Sequence, residues 1–408
     1  MRKILSSIGY SPASYPIVHI TGTSGKGSTA AAVAAILGAA GYRVGLRTSP
    51  YLQVPTEKLQ LGPRLIDATS FDRLSARVLE EHERIASRGV WLGYADAWIV
   101  MTLLWFAEMQ VEVAIIEVGA GGRFDSTNIV ESAVNVITSV GLDHTDLLGP
   151  SIRNIAWHKA GIIKPESTAV IGDIPAEALA IINHEAHAVG ARLVRTERLP
   201  GMREAPTGMP GSFQRANAET AVAAIRALKR YGFSVSRAAI ESGLLAARLP
   251  GRLERMPGSG SPIVWIDGAH SADKITALAR EVHLVSAGGP MPVIVIGILK
   301  GKDTSAIVSG LVPIATAIVA TQPDVVGRKS LPAKELAAEI KDRGFARSVY
   351  VVPEPESAVR RAEDLARASG CNVLVTGSMY LAGQVRSRWY PNDEIVLERT
   401  PWPVRTTE

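Results

Sequence analysis

The residues best placed to do chemistry stand close to the start of the chain. Gly22-Thr23-Ser24-Gly25-Lys26-Gly27-Ser28 lies between a β-branched run, Ile17 to Thr21, and an Ala-rich stretch, Thr29 to Ala40, closed by Gly41. Glycines at such a turn let backbone N–H groups curl round a phosphate, and the helix that follows adds its positive end. Lys26 is then placed to reach the outer phosphates of a nucleotide, and Ser28 to hold Mg²⁺. The spacing departs from the strict G-x-x-x-x-G-K-[ST] loop, because Gly27 separates Lys26 from Ser28. The strand, turn and helix context carries the nucleotide reading; a glycine turn that binds nothing is the alternative.

Three further groups fall where such a loop would need them. Val111 to Glu117 is a buried run, so Glu117 emerges at the C-terminal strand edge, where α/β sheets hold ligands. A carboxylate there suits Mg²⁺, which takes oxygen ligands and leaves positions for phosphate and water. The glycines after it, Gly119, Gly121 and Gly122, lack the spacing of a dinucleotide fingerprint. Asp143 and His144 follow the next run, Val134 to Ser139, onto the same rim. Lys159, in Trp157-His158-Lys159-Ala160-Gly161, ends a helical stretch and by itself reads as a cation complementing a helix C-terminus.

The elements that position these residues alternate along the whole chain. Strand-like runs at Tyr42 to Leu46, Val111 to Glu117 and Val134 to Ser139 are separated by helical patterns at Ser70 to Arg88 and Asp96 to Glu108, with a Pro-punctuated loop at Pro50, Pro55 and Pro63. Leu199 to Gly211 reads as loop, then helices at Ala216 to Tyr231 and Ser236 to Ala247. A second strand series follows at Ile263 to Asp267, Val293 to Gly297, Ala317 to Thr321, Val349 to Val352 and Val373 to Thr376. The fold class is α/β. A phosphate-loop ATPase domain with a parallel central sheet, residues 1–249, precedes a linker, 250–262, and a smaller Rossmann-like domain, 263–408.

Composition excludes several functions. Against 39 acidic residues, 44 basic ones leave a net charge of only +5 over 408 residues, too thin an excess for dedicated nucleic-acid binding. A solitary Cys371 supports neither a disulfide framework nor a thiolate metal site and points to a reducing compartment, the cytoplasm. Apolar stretches such as Ile99 to Phe106 are far shorter than a membrane span, and Met1 to Gly9 does not form the apolar core of a leader.

The motifs, taken in order, resemble the folylpolyglutamate synthase and dihydrofolate synthase family of the Mur ligase superfamily. They are Gly22 to Ser28, Ser49-Pro50-Tyr51-Leu52, Glu117 to Asn128, Gly141 to Thr145 and His158 to Ile162. Phe213 to Asn217, Pro250 to Glu254, Asp267-Gly268-Ala269-His270 and Thr376 to Leu381 continue the series. The resemblance implies Mur ligase architecture. It assigns ATP phosphates to Gly22, Thr23, Ser24, Gly25, Lys26, Gly27 and Ser28, and the rest of the nucleotide to Asn217, Arg252, Asp267 and His270. It implies two Mg²⁺ sites using Ser28, Glu117, His144 and Lys159, the last carbamylated by CO₂, with Lys26, Lys159 and His144 catalytic. Ser49, Tyr51, Trp98 and Ser378 are assigned to substrate. The implied reaction is attack of a carboxylate on the γ-phosphate of ATP, then displacement of phosphate by an amino-acid amine, glutamate above others, in a monomer.

Ser24, Tyr51 and Ser271 stand where that family usually has Asn, His and Asn, and Gly93 to Trp98 departs from its T-x-F-E segment. Trp98 and Trp105, seven residues apart, share a helix face that reads as core before it reads as acceptor pocket. Arg64, Arg123 and Arg328 read as solvated by default. Two other functions stay open: a Mur-type ligase acting on a non-folate carboxylate or peptide, and a phosphotransferase or NTP hydrolase using the same loop.

Overall fold

The computed structural model describes residues 15–87, 89, 91–196, 207–258, 260–345 and 347–404. The leader reading of Met1 to Gly9 and the loop reading of residues 199–206 lie outside the described residues.

Two sheets organise the chain. In the first, β1 (Ile17–Thr21), β2 (Val44–Arg47), β3 (Leu59–Leu61), β4 (Arg64–Leu65), β5 (Val113–Glu117), β6 (Val134–Ile137), β7 (Thr168–Ile171) and β8 (Arg192–Arg195) lie in the order β4-β3-β2-β5-β1-β6-β7-β8. The six strands from β2 to β8 in that order are parallel, and the register sets Val18 between Ile115 and Val134. β1, β5, β6 and β7 are buried end to end because helices cover both faces, and the first three read as largely apolar runs in the sequence.

On one face the helices Lys26–Ala39, Phe213–Leu228 and Arg237–Ala246 bury Ile36, Leu37, Val222 and Leu244 against Val18 and Ile115. On the other, the helices Ala68–Ala86 and Tyr94–Glu108 pack Trp98 and Trp105 into the core as their spacing predicts, with Phe106 beside them. Trp91 does not continue the stripe and is exposed. The first helix begins at Lys26, earlier than the Ala-rich run suggests, so the lysine itself sits in the first turn.

The proline-rich segment expected to be loop contains the antiparallel pair β3 and β4, turned at Gly62 with φ +56°. Strands of three and two residues are too short to display alternation in sequence.

A close helix contact gives a stability prediction. A Cβ on Gly243 would run into the backbone of Ile36 on the neighbouring helix. Gly243→Ala is therefore expected to destabilise the protein by about 1–3 kcal/mol through overpacking, despite alanine's better helix propensity. A denaturant melt showing a rise in stability would contradict this.

The second sheet runs β13-β12-β11-β14-β10-β9, from β9 (Glu254–Arg255), β10 (Val264–Ile266), β11 (Val293–Ile296), β12 (Ala317–Ala320), β13 (Val349–Val351) and β14 (Val373–Thr376). All neighbours are parallel except β9, which is antiparallel to β10. The stretch 250–262, expected to be linker throughout, thus contributes a strand. Its Glu254 carboxylate is held by Arg386, a fully buried guanidinium that also donates to the Pro401 carbonyl at 2.7 Å and stacks on Tyr390. Past that point the chain returns to the first sheet, where Leu65 N donates to the Arg399 carbonyl at 2.9 Å. Among the described residues no helix is long and apolar enough to cross a membrane.

Candidate active site

The phosphate loop joins β1 to the helix Lys26–Ala39. Gly25 caps that helix at φ +83° and offers no side chain, which leaves the first-turn N–H groups free for a ligand. A side chain there would collide with Asn217 Oδ1, so the glycine is required both by its conformation and by the approach of the helix Phe213–Leu228. The loop is laced to the segment after β6: Thr23 N donates to the Ser139 carbonyl, Ser24 N to Ser139 Oγ at 2.9 Å, and Thr138 Oγ1 to the Ser24 carbonyl at 2.6 Å. Lys26 Nζ donates to the Gly22 carbonyl at 2.9 Å; burial lowers its pKa against the pull of Glu117 and Asp143.

Glu117 ends β5 beside that lysine. Its Oε2 accepts from Ser49 N at 2.9 Å, and burial raises its pKa, with Lys26 the strongest opposing influence. Behind it, Arg47 donates to the Glu117 carbonyl at 2.6 Å. The loop after Glu117 is propped from below: Asp125 accepts from Ala120 N and from Thr127, and buried His19 contacts Thr127 Oγ1 at 2.8 Å. Burial brings the His19 pKa down to about 3, so this prop is neutral.

The opposite wall comes from the second sheet. Asp267 accepts from Leu253 N and Ala269 N, both at 2.8 Å. His270 Nδ1 lies 2.8 Å from the Gly268 carbonyl, which can only accept, so that nitrogen carries the proton and Nε2 is left as an acceptor. Burial holds the His270 pKa near 3. Arg252 reaches Met379 Sδ at 2.8 Å.

Between the walls is a cavity of about 730 Å³ lined by Thr23 to Ser28, Ser49, Glu117, Asp143, His144, Asn217, Arg252, Asp267 and His270. That is the size of a cofactor pocket. Every residue assigned to the nucleotide except Gly22 therefore lines one cavity; Gly22 lies beneath, accepting from Lys26. Ser28 and Glu117 supply oxygen donors there, and His144 stands on the rim with φ +51° and its side chain 47% exposed. Among the described residues no three His, Cys, Asp or Glu side chains form a closed cage. That donor set fits Mg²⁺, which commonly keeps water and phosphate oxygens as ligands.

Lys159 is buried and is not among the residues that line the cavity. It is 2% exposed, without a hydrogen bond or ion pair among the described residues, and burial followed by the charge of Lys26 lowers its pKa to about 7. Trp98 is in the hydrophobic core under the Lys58 ammonium, 4.4 Å from its ring, and Tyr51 is half-buried nearby. Ser378 is buried, and its hydroxyl accepts from Tyr380 N to cap the helix Met379–Arg386. Arg123 is not solvated as expected: it pairs with Glu185 at 2.6 Å and stacks on Trp157. The sequence reading passed over Lys274, whose Nζ donates to Asp143 Oδ2 at 3.0 Å across the cleft. Its place in the first turn of the helix that follows the Asp267 to His270 turn was the available signal.

Residues 20–197 match the Mur ligase middle domain and residues 251–379 the Mur ligase glutamate ligase domain. The chain is 33% identical to a dihydrofolate synthase/folylpolyglutamate synthase of Bacillus subtilis, over 95% of this chain and 94% of the relative. A Mycobacterium tuberculosis folylpolyglutamate synthase, solved with ADP and AMPPCP, superposes with a TM-score of 0.86 at 28% identity, covering 95% of this chain and 94% of that one. A bifunctional folylpolyglutamate synthase/dihydrofolate synthase solved with Mn, AMPPNP and L-glutamate gives a TM-score of 0.78 at 28% identity, covering 95% and 92%.

Proposed function

The chain belongs to the folylpolyglutamate synthase and dihydrofolate synthase family of Mur ligases, and from that premise we propose that this ATP-dependent ligase joins glutamate to a folate carboxylate through an acyl phosphate. The observation that carries the proposal is convergence: the phosphate loop, Glu117 and the Arg252, Asp267 and His270 group line one cavity from two sheets. ATP enters with its phosphates on the first turn of the helix Lys26–Ala39. Lys26 gives up its contact with the Gly22 carbonyl for the outer phosphates, and Ser28, Glu117 and His144 hold Mg²⁺, which when bound neutralises charge developing on the transferred group.

This chain's own residues then position the reactants. Ser49 N fixes the Glu117 carboxylate, so the loop that carries Ser49 and Tyr51 toward the acceptor is tied to the metal side of the site. Arg252 from the linker, 250–262, and Asp267 and His270 from the second domain, 263–408, cover the nucleotide bound to the first, 1–249, and exclude water that would hydrolyse an acyl phosphate. We assign Asn217 to the nucleotide, and Trp98 and Ser378 to the acceptor and amino-acid sides, where they support the walls from behind. Lys159 fits a carbamate: a buried amine with its pKa lowered to about 7 is about half uncharged at neutral pH, the form that adds CO₂, and the resulting anion would face Lys26 and Lys274. Both walls come from one chain, which supports a monomer as the acting unit. The buried, lone Cys371 suits the cytoplasm.

The test is a product assay. Pure protein is incubated with ATP, Mg²⁺, each amino acid and a panel of dihydropteroate, tetrahydrofolate and short acidic peptides, following ADP and product mass. The expected result is ADP release dependent on a folate acceptor, with a product heavier by one glutamyl unit. Amide formation on peptides alone overturns the folate assignment, and ADP release without a new amide overturns the ligation.

A further inference from the structure

The second domain brings a lysine to the phosphate end of the cavity. Lys274 lies in the first turn of the helix Ala272–Arg280, and its side chain, 24% exposed, lines the same cavity as Lys26 and Ser28. An ammonium has three donors. One goes to Asp143 Oδ2 at 3.0 Å and a second to His270 Nε2 at 3.3 Å, the acceptor nitrogen of that imidazole. One donor remains on a side chain that lines the cavity.

The anchoring points specify which part of a nucleotide this donor meets. Asp143 stands two residues from Gly141, which is doubly bonded to the phosphate loop: Thr23 Oγ1 donates to the Gly141 carbonyl, and Gly141 N donates back to Thr23 Oγ1, both at 3.0 Å. The neighbouring Asp273 carboxylate approaches the same glycine, so the first turn of the helix is seated on the loop that shapes the phosphate site. Burial, with the charge of Lys26 beside it, lowers the Lys274 pKa against the pull of Asp143.

We propose that Lys274 is a phosphate-contacting residue carried in by the second domain, which binds the terminal phosphate of ATP opposite Lys26 and thereby makes the cavity favour a triphosphate over a diphosphate. The proposal rests on the ATP reading of the cavity. Asp143 and His270 hold the ammonium in place, so the contact is made without ordering a free side chain.

Titration calorimetry with Mg²⁺ and either ADP or AMPPCP, on wild type and on Lys274→Ala and Lys274→Arg, decides the matter. The expected result for Lys274→Ala is an AMPPCP affinity lowered about tenfold or more with ADP changed less than about twofold, which is a typical allosteric-scale preference. Lys274→Arg is expected to keep part of the discrimination because its charge remains. Equal weakening of both nucleotides would make Lys274 a mere interdomain strut and overturn the proposal. So would unchanged affinity for both. If wild type binds neither nucleotide, the ATP reading falls first and the proposal with it. A thermal melt of each variant separates these results from misfolding.

Discussion

Lys26→Ala is expected to lower kcat/KM by about 10²–10³-fold, the scale seen when one fixed donor to developing charge is removed. The reason is local. In the structure the ammonium makes a single hydrogen bond, to the Gly22 carbonyl, so removing it costs the fold little, yet it stands at the helix terminus to which the proposed mechanism assigns the transferred phosphate. Lys26→Arg should recover little: the planar fork is wider than an ammonium, and the site is bounded by Glu117 and Arg252. ADP release measured with a folate acceptor and glutamate, alongside a thermal melt, checks both halves. A rate within tenfold of wild type would remove Lys26 from the chemistry.

The second large effect is at Lys159. Lys159→Ala is expected to reduce turnover by at least about 10³-fold, again the scale of lost transition-state charge stabilisation, and a small carboxylate such as acetate is expected to restore part of it. The sign of the charge is the issue. As an ammonium, Lys159 would add a third cation beside Lys26 and Lys274 with only Asp143 opposing, and burial already lowers its pKa to about 7. As a carbamate it would reverse that imbalance and would offer Mg²⁺ an oxygen ligand. Because only the uncharged amine adds CO₂, activity regained after CO₂ removal should rise with bicarbonate and be slower well below pH 7. Full activity in the alanine variant would refute the carbamate, whereas lost activity with a lowered melting temperature and no rescue would leave Lys159 a packing residue.

Much of this architecture was legible in the residues because its strands are buried on both faces. β1, β5, β6, β11, β12 and β14 are rich in aliphatic residues, and each was found within a residue or two of its bounds. β7 escaped although Thr168–Ile171 is buried throughout, while the other missed strands lack that signature. β3, β4 and β9 are two or three residues long, and β8 is partly exposed. The phosphate loop, Glu117, His144 and the Asp267 to His270 turn were legible for a related reason: each follows a strand, and a strand's C-terminal edge is where a parallel sheet presents ligands. Arg123 was misjudged because its partners, Glu185 and Trp157, are remote in sequence.

By itself the sequence determined that this chain is an α/β ligase-like protein with a nucleotide loop, since apolar runs, glycines and motif order are local properties. Only the tertiary structure decided how the two halves meet. Lys274 finds Asp143 across 131 positions, Arg386 finds Glu254 across 132, and Lys159 is stripped of water. A charge acquires its partner and its pKa from whatever packing places beside it, and no spacing along the chain encodes that distance.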